Sequence, residues 1–74
     1  MKIEEIKRAM HQRPFQPFIV HIADGGALLV EHEDFVSVSK TGRKLVIFEG
    51  EDYHVLNPTM ITRLQVPGTE KPAS

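Results

Sequence analysis

Four histidines are the side chains in this chain most able to do chemistry. None of them lies at the two-residue spacing or the helical i, i+4 spacing that zinc sites use. The run His32-Glu33-Asp34 offers three candidate ligands, but neighbouring side chains in an extended chain point to opposite sides. A small metal or ligand site around His21, His32 and His54 would therefore depend on the fold, and ordinary surface histidines are the favoured interpretation. We expect no metal and no cofactor.

The candidate nucleophiles and carboxylate pairs favour a protein that is not an enzyme. Ser37 and Ser39 have no neighbouring glycine, so the strained turn of a nucleophile elbow is missing. The carboxylate pairs Glu33-Asp34 and Glu51-Asp52 fall in predicted bends, where acidic residues favour turns and solvation. We expect no catalytic residue.

One basic cluster could contact phosphate, and its members are Lys40, Arg43 and Lys44. No aromatic side chain is interleaved with them to stack on a base. The chain carries 9 Lys and Arg against 10 Asp and Glu, a formal net charge of −1. Because this balance gives no general attraction to nucleic acid or to an anionic membrane, we expect neither as a partner. A solvated hairpin tip is the favoured interpretation of the cluster.

The elements that must position these residues are one helix and a set of short strands. Ile3, Ile6 and Met10 recur at helical spacing, which predicts a helix over residues 2–12 that ends before Pro14. From residue 18 to residue 66, alternating apolar runs predict antiparallel strands. The runs are separated by four turn signals, which are Asp24-Gly25-Gly26, Thr41-Gly42, Gly50-Glu51 and Asn57-Pro58.

The register of the first hairpin can be predicted from its turn. A three-residue loop over residues 24–26 would pair Ile22 with Leu28 and Val20 with Val30, with Gly26 in the left-handed conformation. This register gathers five apolar residues on one face, which we predict to be the core. They are Phe18, Val20, Ile22, Leu28 and Val30.

The alternation is interrupted at residues 32–34, which we interpret as a bend within one long strand that resumes at Val36. Asn57 and Pro58 predict a capped single helical turn before the last strand. The predicted fold is α+β, with an N-terminal helix followed by a strongly bent five-stranded antiparallel sheet or small barrel. We expect a single domain over residues 1–66 and a disordered polar tail over residues 67–74.

This order of elements resembles the Sm-like small barrels. The matching features are the Asp24-Gly25 turn, the bend at residues 32–34 and the helical turn at residues 57–61. The resemblance implies ring oligomers that bind RNA. However, Thr41-Gly42 stands where that family has an Asn-bearing loop, and residues 56–58 stand where it has an Arg-Gly pair. The family's RNA-binding residues therefore do not carry over.

A second resemblance is to small uncharacterised bacterial proteins, and it spans most of the chain. It is carried by an Arg-Pro-Phe-x-Pro-Phe pattern at residues 13–18, Ala-Asp-Gly at 23–25, His-x-Asp-Phe-Val at 32–36 and a Gly-Arg turn at 42–43. This resemblance implies a bacterial source and no particular function.

Apolar residues remain on the face opposite the predicted core, where they indicate a partner surface. They are Ile19, Leu29, Val46, Phe48, Tyr53 and Val55. A helix that covers all of this face, leaving a monomer, is the alternative. A domain of 74 residues without cysteine has a small core and no disulfide, which favours stabilisation by a partner chain. We therefore predict a non-enzymatic protein-interaction module that self-associates. The alternatives are an Sm-like nucleic-acid-binding domain that uses Lys40, Arg43 and Lys44, and a small metal or ligand binder around His21, His32 and His54.

Location follows from what the sequence lacks. The N-terminal segment has charged residues instead of a signal peptide's apolar core, and no apolar run approaches the roughly 20 residues of a membrane span. The sequence predicts a cytoplasmic protein.

Overall fold

A computed structural model describes residues 1–67 of the chain. It contains one α-helix, six strands and two short 3₁₀ turns, which confirms the α+β class. In chain order the helix and strands are α1 (Ile3–Met10), β1 (Phe18–Ile22), β2 (Ala27–Val30), β3 (Val36–Val38), β4 (Leu45–Glu49), β5 (Asp52–Leu56) and β6 (Ile61–Gln65). The 3₁₀ turns are Glu33–Phe35 and Pro58–Met60. The disordered tail predicted over residues 67–74 lies, apart from Pro67, outside the described residues.

The strands form two antiparallel sheets instead of one. The first sheet has the order β2-β1-β6 and the second has the order β3-β4-β5. The prediction of a five-stranded sheet or a closed small barrel is therefore wrong for the described residues. The reason lies between β2 and β3, where the chain leaves the first sheet before it enters the second.

The interruption after β2 is a 3₁₀ turn, not a bend within one continuous strand. The backbone N–H of Phe35 donates to the carbonyl oxygen of His32 at 3.0 Å, so this group bonds within its own turn and not to a neighbouring strand. The Phe35 ring also meets the His32 ring edge-on at 5.1 Å. From the connector before β1, Arg13 reaches Glu33 at 3.2 Å. Together, the turn's own hydrogen bond and the contact from Arg13, 20 positions earlier in the chain, divide the predicted long strand into β2 and β3.

The first hairpin has a register that differs from the predicted one by two residues. Val20 pairs with Leu28, and the N–H of Ile22 donates to the carbonyl oxygen of Gly26 at 2.9 Å. Gly25, not Gly26, has the left-handed φ, of +98°. The loop moves towards β1 because the N–H of Ala23 donates to Met60, before β6, at 2.8 Å.

The predicted core face survives this change of register, because a shift of two residues returns every side chain to the same side. Phe18, Val20, Leu28 and Val30 are buried, and Ile22 is half-buried against the same core. The prediction that these five residues share one face is confirmed.

The later turns follow the predicted chemistry. Gly50 and Glu51 form a two-residue turn between β4 and β5, with Gly50 at φ +60°, as a hairpin turn with glycine first requires. The Asn57 side-chain oxygen accepts a hydrogen bond from the N–H of Thr59 at 3.0 Å. This contact confirms Asn57 as the cap of the turn Pro58–Met60.

Helix α1 completes the core between the sheets. Ile6 and Ala9 are buried, and Ile3 and Met10 pack at the margin, so the predicted apolar stripe does contact the core. The Phe15 ring of the connector lies 6.0 Å from the Phe18 ring. Within residues 1–67, the helix is too short to cross a membrane.

Candidate interaction surface

The structure brings four of the six predicted partner residues together on the second sheet. Strands β4 and β5 pair Val46 with Val55 and Phe48 with Tyr53. The rings of Phe48 and Tyr53 lie 6.3 Å apart. We call these four residues the outer face.

The outer face is exposed in the monomer. Phe48 is 45% exposed, Tyr53 66% and Val55 55%, whereas Val46 is half-buried. Leu45 and Ile47 alternate with Val46 and Phe48 along β4, and both are fully buried because successive side chains of a strand point to opposite faces. Helix α1 packs into the core and leaves the outer face uncovered, so the predicted alternative in which the helix covers every apolar residue is wrong.

A pocket of about 250 Å³ extends the outer face towards the first sheet. We call it the corner pocket, and its lining residues are Leu29, Glu31, Phe35, Phe48, Glu49 and Gly50. It brings Leu29, 43% exposed, next to Phe48, so a fifth predicted partner residue joins the surface. Phe35, 38% exposed, was missed because it directly follows the predicted bend, where the alternation is interrupted. A large aromatic residue directly after two acidic ones was the signal that could have marked it.

The sixth residue, Ile19, does not join this surface. It is half-buried on the first sheet, where it pairs with Leu29 on one side and Gln65 on the other. Apart from Leu29 and Ala27, the other residues on the outer side of that sheet are polar. His21 pairs with Arg63, and the His21 Nε2 atom lies 2.8 Å from the Gln65 Oε1 atom.

The predicted phosphate-contact residues lie together at the turn between β3 and β4. Lys40 and Arg43 belong to the turn and Lys44 directly precedes β4, and all three side chains are exposed. None of them forms a salt bridge with another residue of the described chain. We call them the basic turn. Gly42, at φ +75°, packs this turn against Ile3 of α1.

The histidines of the predicted metal site are not brought together as a ligand set. His21 contacts Gln65 on the first sheet, and the His54 Nε2 atom lies 3.1 Å from the Glu49 Oε1 atom on the second sheet. His32 lies against Phe35. Among residues 1–67, no three His, Cys, Asp or Glu side chains are placed to hold one metal ion.

A second depression, not predicted from the sequence, lies between α1 and β6. This groove of about 410 Å³ is lined by Glu5, Arg8, Ala9, Gln12, Leu64 and Val66. Its lining combines charged and polar side chains of the helix with Ala9 and with the aliphatic Leu64 and Val66.

Comparison with protein-family models, with curated proteins and with solved structures gave no match in any of the three. The two resemblances named above therefore stay predictions. Any functional assignment rests on the surfaces described here, and the outer face with its corner pocket is the most developed of them.

Proposed function

We propose that this protein is a non-enzymatic protein-interaction module that self-associates through the outer face of its second sheet. The observation that carries the proposal is the contiguous exposure of Phe48, Tyr53 and Val55 on two paired strands. Single exposed apolar residues are common on monomers, but contiguous apolar surface marks an interaction site.

Burial of this surface would supply the driving force for association. Removal of apolar area from water contributes about 25 cal/mol per Å², and aromatic side chains dominate the energetics of interfaces. Tyrosine and phenylalanine are enriched at interfaces for this reason. The rings of Phe48 and Tyr53 already contact each other in the monomer, so they are partly ordered before a partner binds.

The size of the domain supports the same proposal. Chains of fewer than about 80 residues obtain only about 3–5 kcal/mol from one core, and a partner chain is a common additional source of stability. The described chain has no disulfide and no metal-ligand group. Nucleic-acid binding by the basic turn and metal binding by the histidines, the two alternatives, rest on residue types alone.

Sedimentation velocity over a range of concentrations tests the proposal, with the double variant Phe48→Thr, Tyr53→Thr as the perturbation. Threonine keeps the β-propensity of both positions while it removes the aromatic rings. The matched control is His21→Thr with Arg63→Thr, since these residues form the corresponding cross-strand pair on the outer side of the first sheet.

We expect a concentration-dependent dimer for the natural chain and for the control, and a monomer for the aromatic variant. A natural chain that stays monomeric up to millimolar concentration would overturn the proposal. So would equal association of the aromatic variant and the control.

A further inference from the structure

Charge is segregated to the two ends of the second sheet. At one end, Glu31 and Glu49 line the corner pocket. Four more carboxylates lie close by in the chain, Glu33 and Asp34 in the 3₁₀ turn, Glu51 in the turn after β4 and Asp52 at the start of β5. In the described chain, the salt bridges at this end involve only Arg13 with Glu33 and His54 with Glu49. The basic turn occupies the other end.

The two ends cannot neutralise each other within one molecule. From Lys44 to Glu49 the chain advances five residues along β4, which is about 17 Å at the rise of a strand. The exposed apolar residues lie between these ends. Alternation along the strand also places Lys44 on the same side as Val46 and Phe48. By the same alternation Glu49 belongs to the side of Ile47, so Glu31, which lines the corner pocket with Leu29 and Phe48, is the carboxylate at the acidic end of the outer face. The outer face therefore runs from a basic end, across valines and aromatic rings, to an acidic end.

We propose, building on the self-association proposed above, that the occupant of the outer face is a second copy of this chain, stacked face to face and antiparallel about a two-fold axis. Val46 and Val55 lie nearest the axis. The basic turn of each copy lies over the corner pocket of its partner, so that Lys44 and Arg43 approach Glu31 of the partner subunit.

The charge pattern selects this arrangement over others. In a dimer with a two-fold axis every contact occurs twice, because both subunits use the same patch. The outer face must therefore be complementary to a rotated copy of itself. A face that is basic at one end and acidic at the other meets this condition only in the antiparallel orientation. A parallel stack would oppose carboxylates to carboxylates, which costs several kcal/mol. The apolar centre is shielded from water, while the charges stay at the rim and set the orientation.

The lining of the corner pocket also fits a basic side chain from a second copy of this chain. Leu29, Phe35 and Phe48 give the pocket apolar walls, and its two glutamates supply negative charge. A lysine or arginine side chain buries its methylene stem against apolar walls while its charged head meets a carboxylate. An arginine also stacks on aromatic faces. The partner subunit's Arg43 has both properties.

Charge reversal in separate variants tests the proposal in the full chain. Glu31→Lys makes both ends of the face basic, and Lys44→Glu adds negative charge to the basic end. We expect each variant alone to dimerise at least about tenfold more weakly than the natural chain, because the substitution acts twice in a symmetric dimer. Mixed in equal amounts, the two variants should form a one-to-one heterodimer with affinity restored towards that of the natural chain.

Two controls match these variants in net charge. Glu4→Lys and Lys7→Glu change the same charges on α1, away from the outer face, and they should dimerise like the natural chain. The association constant of the natural chain should also fall as salt is added, because rim charges are screened. Thermal unfolding followed by circular dichroism checks that each variant is folded.

The outcomes separate this inference from the function on which it rests. If the natural chain dimerises through Phe48 and Tyr53 but Glu31→Lys and Lys44→Glu have no effect, the antiparallel charge pairing is wrong and the interaction module stands. The same holds if folded variants fail to form a heterodimer on mixing, or if the natural assembly is larger than a dimer. If the natural chain is monomeric, both proposals are wrong.

Discussion

The two sheets of this protein have equivalent inner faces, but the outer side of the second sheet is the more apolar of the two. On the inner side, Phe18 and Val20 of the first sheet and Leu45 and Ile47 of the second are all fully buried in one core. On the outer side, the first sheet presents a polar cross-strand pair where the second presents Phe48 opposite Tyr53. The outer side of the first sheet mixes polar residues with Ile19 and Leu29, whereas that of the second sheet presents four apolar side chains on two paired strands.

The difference shows that folding alone does not account for the second sheet. A three-stranded antiparallel sheet needs only one apolar face to pack in a core, and its other face is then free to be polar. The first sheet follows that rule in part, with His21, Arg63 and Gln65 beside the apolar pair of Ile19 and Leu29. The second sheet keeps apolar residues on both faces, and this surplus supports the proposed interaction.

The largest expected effect is a loss of unfolding free energy on truncation of a core residue, and it should be similar for the inner faces of both sheets. Phe18→Ala should lower the free energy of unfolding by about 3–5 kcal/mol and Ile47→Ala by about 2–5 kcal/mol, since each removes fully buried volume from the shared core. Both losses approach the whole stability expected of so small a domain. Denaturant titration of each variant measures the loss. A loss below about 1 kcal/mol at either position would break the equivalence.

A smaller effect is expected at the turn that joins the strands of the outer face. Gly50→Ala should cost about 1–2 kcal/mol, because Gly50 has a φ of +60° that L-residues avoid. A Cβ atom built there meets no atom within 4 Å, so backbone conformation alone sets the cost. A synthetic chain with D-alanine at this position is the matched control and should unfold at or above the natural temperature. Equal melting temperatures for the L- and D-alanine chains would contradict the assignment.

Exchange of one cross-strand pair between the outer sides of the two sheets tests the difference between them. Phe48→His with Tyr53→Arg copies the polar pair of the first sheet onto the second. We expect the unfolding free energy of the monomer to change by less than about 1 kcal/mol, the range of a cross-strand pair, while dimerisation is lost. Chemical denaturation and sedimentation velocity report the two quantities separately.

The reciprocal exchange, His21→Phe with Arg63→Tyr, places an aromatic pair on the first sheet. It should produce assemblies larger than a dimer, because each copy then has two apolar outer faces. Assemblies of unchanged size from this variant would show that an aromatic cross-strand pair is not sufficient for association.

The smallest effect is expected for the ion pair near the junction of the sheets. Arg13 and Glu33 contact each other at 3.2 Å, but both side chains are largely exposed. A double-mutant cycle with Arg13→Ala and Glu33→Gln should give a coupling energy below about 1 kcal/mol that falls with added salt. A larger coupling would indicate that this contact, and not the 3₁₀ turn itself, holds the two sheets apart.

Much of the fold followed from local patterns that can be identified in the sequence. Strict alternation assigned Phe18 and Val20 to the core, and Gly50 marked its turn because few other residues adopt its φ. Asn57 capped the turn that it was expected to cap. In each case, the physical cause lies within a few residues of its effect.

The predictions that were wrong concerned contacts between distant parts of the chain. The first hairpin shifted by two residues because Ala23 bonds to Met60, which is 37 positions away in the chain. Two registers that differ by two residues present the same faces, so the hydrophobic pattern could not choose between them. The corner pocket was also beyond prediction, since it joins Leu29, Phe35 and Phe48 from separate elements.

By itself, the sequence determined the fold class, the faces of the strands and the apolar surplus that suggests a partner. These properties follow from side-chain alternation and from the conformations that glycine, proline and asparagine permit, all of which act locally. Tertiary structure alone decided that β2 and β3 belong to separate sheets, that α1 leaves the outer face uncovered, and that carboxylates gather at one end of that face. Such features depend on which segments far apart in the chain form contacts with each other, and a local sequence pattern does not specify those contacts.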